Sequence, residues 1–306
     1  MGDCSPEIMT AVPRFYQNLY QKINASFKKA TGLKKKLIFK MLELGLKKIK
    51  KEELNLFEKI QDSILEKLVR KKIKSQFGGS LKTFVSGGGA LDKEVGYFLN
   101  AIGLPTLQGY GLTETSPVVS CNPIDDIRIE TVGIPFKCND VKIADDGEIL
   151  VKGENVMLGY WNNVDETKKV LKNGWLHTGD IGKFENNYLI ISDRKKDILI
   201  TPGGDNISPL KIENLLTSSK MIDQAIVYGD NKPFLVALIV PKEDKKLNFN
   251  ENFKKDLEKI NKNLTKIEKI KKFFVIKEKF SIENGMLTPT LKLKRYKIIN
   301  KYKNNF

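Results

Sequence analysis

Gln108-Gly109-Tyr110-Gly111-Leu112-Thr113-Glu114-Thr115-Ser116-Pro117 is the stretch from which the rest of the chain can be read. The apolar run Leu104 to Leu107, arriving after Gly103, predicts a short strand that ends in a glycine turn. Gly109 and Gly111 let backbone approach a ligand closely or take up positive φ. Tyr110 offers a flat face to a planar base, Thr113 a hydroxyl to a phosphate oxygen, and Glu114 a hard oxygen to Mg²⁺. The same spacing also describes a strand, a turn and a capped helix start, because Thr and Ser cap helices and carboxylates favour first turns. On spacing, both readings stand.

Four further segments narrow the choice. They are Ser86-Gly87-Gly88-Gly89-Ala90-Leu91, Gly174-Trp175-Leu176-His177-Thr178-Gly179-Asp180-Ile181-Gly182, residues 192–209 (SDRKKDILITPGGDNISP) and residues 288–295 (TPTLKLKR). In this order, and with Gly109 to Thr115 among them, they resemble the second half of the acyl-adenylate-forming superfamily, the AMP-forming acyl-CoA synthetases and their relatives. The opening PEIMTAVPRFYQNLYQKI at 6–23 and the closing LTPTLKLKR look most like long-chain fatty acid CoA ligases. The resemblance runs from residue 6 to 300.

The resemblance implies an α/β fold. Residues 1–193 would form the C-terminal part of the AMP-binding large domain, with mixed sheets and a small β-barrel, and 194–306 a mobile α+β lid. It implies fatty acid, ATP and CoA as substrates, and acyl-CoA, AMP and diphosphate as products. By the same analogy Gly88 and Gly89 let backbone lie against adenine and acyl chain. Tyr110, between Gly109 and Gly111, stacks on adenine, Thr113 holds phosphate, and Glu114 binds Mg²⁺. Asp180 and Arg194 fix the ribose, Lys196 is the hinge, and Gly203 and Gly204 line the CoA channel. Lys292 aligns with the family's catalytic lysine, although Thr290-Leu291 stands where Ser-Gly is usual, and Lys294 is its rival.

The family's glycine- and hydroxyl-rich phosphate loop, ending in Pro-Lys-Gly, has no counterpart in residues 1–85. A relative of this kind is near twice as long. The expectation is therefore a C-terminal fragment that is incomplete as an isolated chain, or a subunit completing a separately encoded N-terminal half. Loading of an acyl-carrier protein is the alternative chemistry.

Composition sets the outer limits. At 306 residues and 41% hydrophobic the chain can bury two cores, and no apolar run is long enough to span a bilayer. Cys4, Cys121 and Cys138 have neither paired spacing nor a nearby histidine cluster, which fits a reducing cytoplasm. The net charge of +16 is carried mostly by lysine, with arginine only at 14, 70, 128, 194 and 295. Nucleic-acid readers lean on arginine and interleaved aromatics, so nucleic acid is not the expected partner. A lysine-biased composition explains the charge, and attraction to an anionic membrane surface is the functional alternative. A cytoplasmic protein, peripheral on the inner membrane in that second case, is the expectation.

Along the chain, apolar residues at helical spacing predict helices through residues 14–76. They include a third run of Leu54, Phe57, Ile60, Ile64, Leu65 and Leu68 that reads as core. A strand over Leu81 to Val85 and a helix over Asp92 to Ala101 follow. Val141–Ile143 and Ile149–Val151 read as a hairpin, and Tyr188–Ile191 as a strand after the Asn186-Asn187 turn. His177 is the only histidine and reads as structural. The lid segment should hold a helix from Pro209 capped by Ser208, strands at 222–228 and 234–240, a helix over 253–270 and a strand at 273–276.

Overall fold

The computed structural model describes residues 4–219, 221–242, 249–288 and 292–305. They divide into two compact units, Met1–Thr178 with Lys183–Ile191, and Gly179–Gly182 with Ser192–Phe306.

In the first unit, strand β1 (Ile8–Ala11) leads into helices α1 (Pro13–Lys28), α2 (Gly32–Ile49), α3 (Leu56–Leu65) and α4 (Lys71–Ser75). Strand β2 (Thr83–Ser86), helix α5 (Lys93–Ala101) and strands β3 (Thr106–Tyr110), β4 (Ser120–Cys121) and β5 (Ile134–Pro135) follow. The five strands form one sheet in sequence order, parallel from β1 to β3 and antiparallel thereafter. β2 sits between neighbours, and its Phe84 is wholly buried against Tyr16 and Phe77 rings. Tyr16 keeps its phenol satisfied by donating to the Val85 carbonyl at 3.0 Å, and burial pushes its ionisation well above the usual tyrosine range. β3 begins later than the apolar run predicts, because the Asn100 amide bonds both backbone groups of Thr106. It also runs on through Gln108-Gly109-Tyr110, so Tyr110 lies in a strand and not in a turn.

Helix α3 departs from the sequence reading. Of its expected core stripe only Leu65 is buried and Leu54 half-buried, whereas Phe57, Ile60, Ile64 and Leu68 are exposed. Its inward face carries Glu58 and Asp62, and charge explains the choice. Glu58 meets Lys47 at 2.6 Å, while Asp62 meets Lys48 at 2.9 Å and the buried Arg70 at 2.6 Å. Arg70 also donates to the carbonyls of Met41 and Ala101, so turning the helix over would strand a buried guanidinium.

A second sheet holds β6 (Asn139–Ile143), β7 (Glu148–Gly153), β9 (Trp175–Glu185) and β10 (Tyr188–Arg194) in the order β10-β9-β7-β6. Short β8 (Leu171–Lys172) pairs with β9, and helix α6 (Val164–Val170) precedes it. Asn186 and Asn187 both take positive φ, +48° and +67°, which is what a two-residue hairpin loop asks for.

The second unit contains β11 (Leu199–Ile200), β12 (Asn206–Ile207), α7 (Pro209–Thr217), β13 (Ile222–Tyr228), β14 (Leu235–Pro241), α8 (Phe249–Lys262), β15 (Ile270–Val275) and α9 (Arg295–Lys301). β14 is the central strand, antiparallel to β13 and parallel to β15, and every one of its residues is buried. Leu235, Ala237 and Ile239 face one core with Ile212, Leu216 and Phe253. Leu238 and Val240 face another with Phe280 and Ile298. Period-two burial on both faces explains the unbroken apolar run. The helix expected over 253–270 stops at Lys262. The Asn261 side chain bonds both the amide and the carbonyl of Ile270, and Thr265 with Glu268 closes a separate turn. β15 accordingly starts at Ile270.

Candidate functional site

In the first unit the glycine segments gather around the ends of β2 and β3. β2 ends at Ser86, whose hydroxyl oxygen is buried without a partner among the described residues. Gly87 faces open space and Gly88 has φ +78°, so the backbone of 86–89 is accessible to a ligand and carries an unsatisfied hydroxyl beside it. Tyr110 is buried in a core cluster with Val119, Ile149, Val151 and Leu189. Gly111 is required for a local reason: a Cβ there would lie 1.7 Å from the Pro117 carbonyl oxygen.

Thr113 to Thr115 make one 3₁₀ turn. Thr115, which sequence reasoning passed over, organises it. The Thr115 hydroxyl accepts from the Leu112 amide at 2.9 Å, and it lies 3.0 Å from the carbonyls of both Leu112 and Pro117. Thr113 is left exposed. Glu114 accepts a 2.8 Å hydrogen bond from the Tyr160 hydroxyl on one carboxylate oxygen, and its main-chain carbonyl accepts from the Met157 amide at 2.8 Å. Asn155 donates to the Thr115 carbonyl at 2.7 Å. Tyr160 and Asn155 lie about forty residues downstream of the turn, and no local pattern marks them. A magnesium ion bound with nucleotide takes one or two carboxylates plus phosphate oxygens and water. Glu114, with its second oxygen unclaimed among the described residues, fits that donor set; no cluster of three or more metal-ligating side chains occurs among them.

His177 lies 3.1 Å from a carboxylate oxygen of the buried Glu148, in β9 and β7, and has the structural place expected of it.

The second unit holds the charged set. Asp180 is buried within β9, and Arg194 at the end of β10 reaches it, Nε to Oδ1 at 3.2 Å. Lys292 lies close enough for both charges to act on it. Desolvation lowers its ammonium pKa, Arg194 adds to that, and Asp180 opposes it. The β9–β10 hairpin sets Asp180 beside Arg194, and Lys292 is brought to them from far along the chain. Lys294 gives its backbone amide to the Met286 carbonyl at 2.8 Å. Thr290 and Leu291 lie outside the described residues.

Two anchors of this set were not foreseen. Asp193 is buried and accepts from the Ser208 hydroxyl at 2.6 Å, tying the end of β10 to the cap of α7. Glu213 on α7 grips Arg295 in a bidentate pair at 2.8 and 2.7 Å, and Arg295 follows Lys292 by three residues. Burial opposes the Arg295 charge, but Glu213 outweighs it and holds the guanidinium above its ordinary pKa. Lys196 lies in a 3₁₀ turn over Lys195–Asp197. Gly203 and Gly204 form the tip between β11 and β12, closed by bonds between Thr201 and Asp205, with Gly204 at φ +87°.

The first unit thus holds glycine turns and a 3₁₀ turn bearing Glu114, and the second an Asp–Arg–Lys group. Comparison with known proteins gives the class. The AMP-binding enzyme family model matches residues 2–161 and the AMP-binding enzyme C-terminal domain matches 196–305. The chain belongs to the AMP-binding enzyme family.

Within that class it is similar to long-chain-fatty-acid–CoA ligase FadD15 of Mycobacterium bovis, 32% identical over 97% of this chain and 53% of the relative. It is also similar to long-chain-fatty-acid–CoA ligase 5 of Mus musculus, 34% identical over 97% of this chain and 48% of the relative. The chain thus spans about half the length of these relatives. Among solved structures, the adenylation domain of a carboxylate reductase from Mycobacterium chelonae shares the fold. Its TM-score is 0.72 at 22% identity, over 98% of this chain and 46% of that one. The O-succinylbenzoate coenzyme A synthetase of Bacillus subtilis, solved with AMP, matches at TM-score 0.60 and 29% identity over 72% of this chain and 46% of that one.

Proposed function

We propose that this chain carries the AMP-handling and lid parts of a long-chain fatty acid CoA ligase, which joins a fatty acid to CoA through an acyl-adenylate. The observation that carries the reading is the placing of Lys292, from far along the chain, beside the Asp180–Arg194 pair of the β9–β10 hairpin. In this reading the fatty carboxylate attacks the α-phosphorus of ATP and diphosphate leaves. The CoA thiol then displaces AMP from the mixed anhydride. Such chemistry depends on positioning and on cations placed where charge develops. Lys292 is the cation at the α-phosphate and attacking carboxylate, and partial desolvation with Arg194 nearby lowers its pKa. Its proximity to Arg194 and Asp180 favours it over Lys294. Asp180 accepts from ribose hydroxyls, and Arg194 orients Asp180 while reaching the nucleotide. Tyr110 forms a wall for adenine, Gly88, Gly89 and Gly109 give backbone access, and Thr113 donates to phosphate. Glu114 holds magnesium, which when bound neutralises phosphate charge. Residues 194–306 act as the lid, turning about Lys196, with Gly203 and Gly204 along the path of CoA.

The 306 residues hold no glycine- and hydroxyl-rich phosphate loop in positions 1–85, so we infer that by themselves they do not complete the reaction. The purified chain should bind a hydrolysis-resistant palmitoyl-adenylate analogue, and Lys292→Ala should weaken that binding. It should release no steady diphosphate from ATP, magnesium, CoA and palmitate. Absence of analogue binding at millimolar concentration would sink the ligase reading. Sustained turnover would show that these 306 residues hold every group the reaction needs.

A further inference from the structure

Helix α3 hides its charges and shows its apolar face. Leu56 is 78% exposed, Phe57 68%, Ile60 54%, Ile64 50% and Leu68 50%. At 100° per residue these five fall within one stripe about a third of the helix circumference wide, opposite Glu58, Asp62 and Leu65. The local charges divide by sign. Glu58, Asp62 and Glu66 are each engaged by Lys47, Lys48, Arg70 or Lys74. Lys59, Lys67, Lys71 and Lys72 are exposed and make no ion pair among the described residues. The outward side of α3 and α4 is therefore apolar with cations on it, and the carboxylates of this segment are spent on Lys47 and Lys48 of α2, on Arg70 and on Lys74.

We propose that this face docks on an anionic lipid bilayer, with α3 and α4 lying in the plane of the headgroups. The choice of a lipid surface rests in part on the fatty acid ligase reading, and the choice of face on α3 itself. Protein interfaces are depleted in lysine at their centres, whereas an interfacial helix combines an apolar stripe with a lysine-rich rim. The helical run from Leu56 to Ser75, with a π turn at Glu66–Arg70, is about 30 Å long at 1.5 Å per residue. No described helix is long and apolar enough to cross a membrane, so the contact is a surface one. The buried Arg70, held by Asp62 and by carbonyls of α2 and α5, keeps the stripe facing outward before any lipid arrives.

The test is co-sedimentation of the chain with vesicles of phosphatidylcholine, and of phosphatidylcholine with roughly one third phosphatidylglycerol. Wild type should bind the anionic vesicles at low salt and not the neutral ones. Ile60→Ser with Ile64→Ser should lower partitioning by at least about tenfold, since two exposed apolar side chains lose their transfer into lipid. Lys59→Gln with Lys67→Gln should weaken binding and flatten its salt dependence. These positions are exposed, so the thermal midpoint should hold. Failure of wild type to bind, or binding that the serine pair leaves unchanged, overturns the proposal. A lipid-free dimer that the serine pair dissociates also overturns it, in favour of a second copy. Vesicle binding that persists while the palmitoyl-adenylate analogue fails to bind overturns the ligase reading only.

Discussion

Glu213→Gln should cost the second unit more than any other single exchange near Lys292. Arg295 would lose two charge-assisted bonds, at 2.8 and 2.7 Å, and keep only its 3.1 Å bond to the Val227 carbonyl. Glu213 also accepts from the Val227 amide at 2.7 Å, so the exchange disturbs β13 as well. Breaking one side of a buried pair leaves an uncompensated charge and costs about 3–5 kcal/mol. Domain stability is typically on the order of 5–15 kcal/mol, so that is a large share. Trp161 and Trp175 both lie in the first unit, so tryptophan emission does not report the loss. Hydrogen exchange of peptides from the fully buried β14 does, and their protection should fall by the same free energy. The double exchange Glu213→Leu with Arg295→Met removes both charges and should be milder than Glu213→Gln, because no buried charge is left unpaired, although the Val227 amide and carbonyl lose their side-chain partners. If Glu213→Gln changes β14 protection by less than about 1 kcal/mol, the pair is not the anchor claimed for it.

Three further outcomes are expected. The lowered pKa of Lys292 means that its charge, present at neutral pH, is lost on raising pH before an ordinary lysine at 10.5 would lose it. In that window the unfolded state binds more protons, so stability gains with pH while affinity for AMP declines. Titration of AMP binding should show the decline, Lys292→Arg should flatten it, and an unchanged alkaline limb in that variant would count against the role. Asp180→Asn removes the partner of the partly exposed Arg194, so it should cost stability no more than about 1 kcal/mol yet weaken AMP binding about tenfold. Equal AMP affinity by calorimetry would argue against the ribose role. Gly111→Ala places a methyl 1.7 Å from the Pro117 oxygen and should destabilise the first unit by about 1–3 kcal/mol or more in urea unfolding.

Much of the order of elements was legible because it rests on local signals. Ser208 before Pro209 starts α7, Asn186-Asn187 turns β9 into β10, and the period-two core of β14 is written in its apolar run. What local pattern could not supply was the partner of each charge. The stripe of α3 has an ordinary amphipathic period, and only Lys47, Lys48 and Arg70 decide which side faces in. The end of α8 depends on Asn261 meeting Ile270, a contact made by the fold and not by helix propensity. At the candidate site, Asp180, Arg194 and Lys292 were nameable through family resemblance. Tyr160 and Glu213 carry no motif, and Thr115 and Asp193, though inside motif segments, show their role in holding their surroundings only with coordinates.

The few guanidinium groups deserve a last comparison with the crowd of ammonium groups around them. Arg70 gathers a carboxylate and two carbonyls in the interior, Arg128 lies 3.8 Å over the Tyr188 ring, Arg194 meets Asp180, and Arg295 forks onto Glu213. Each task uses a flat, multiply donating head that lysine does not have. In a chain so rich in lysine, these four of its five arginine positions mark where a point charge will not do.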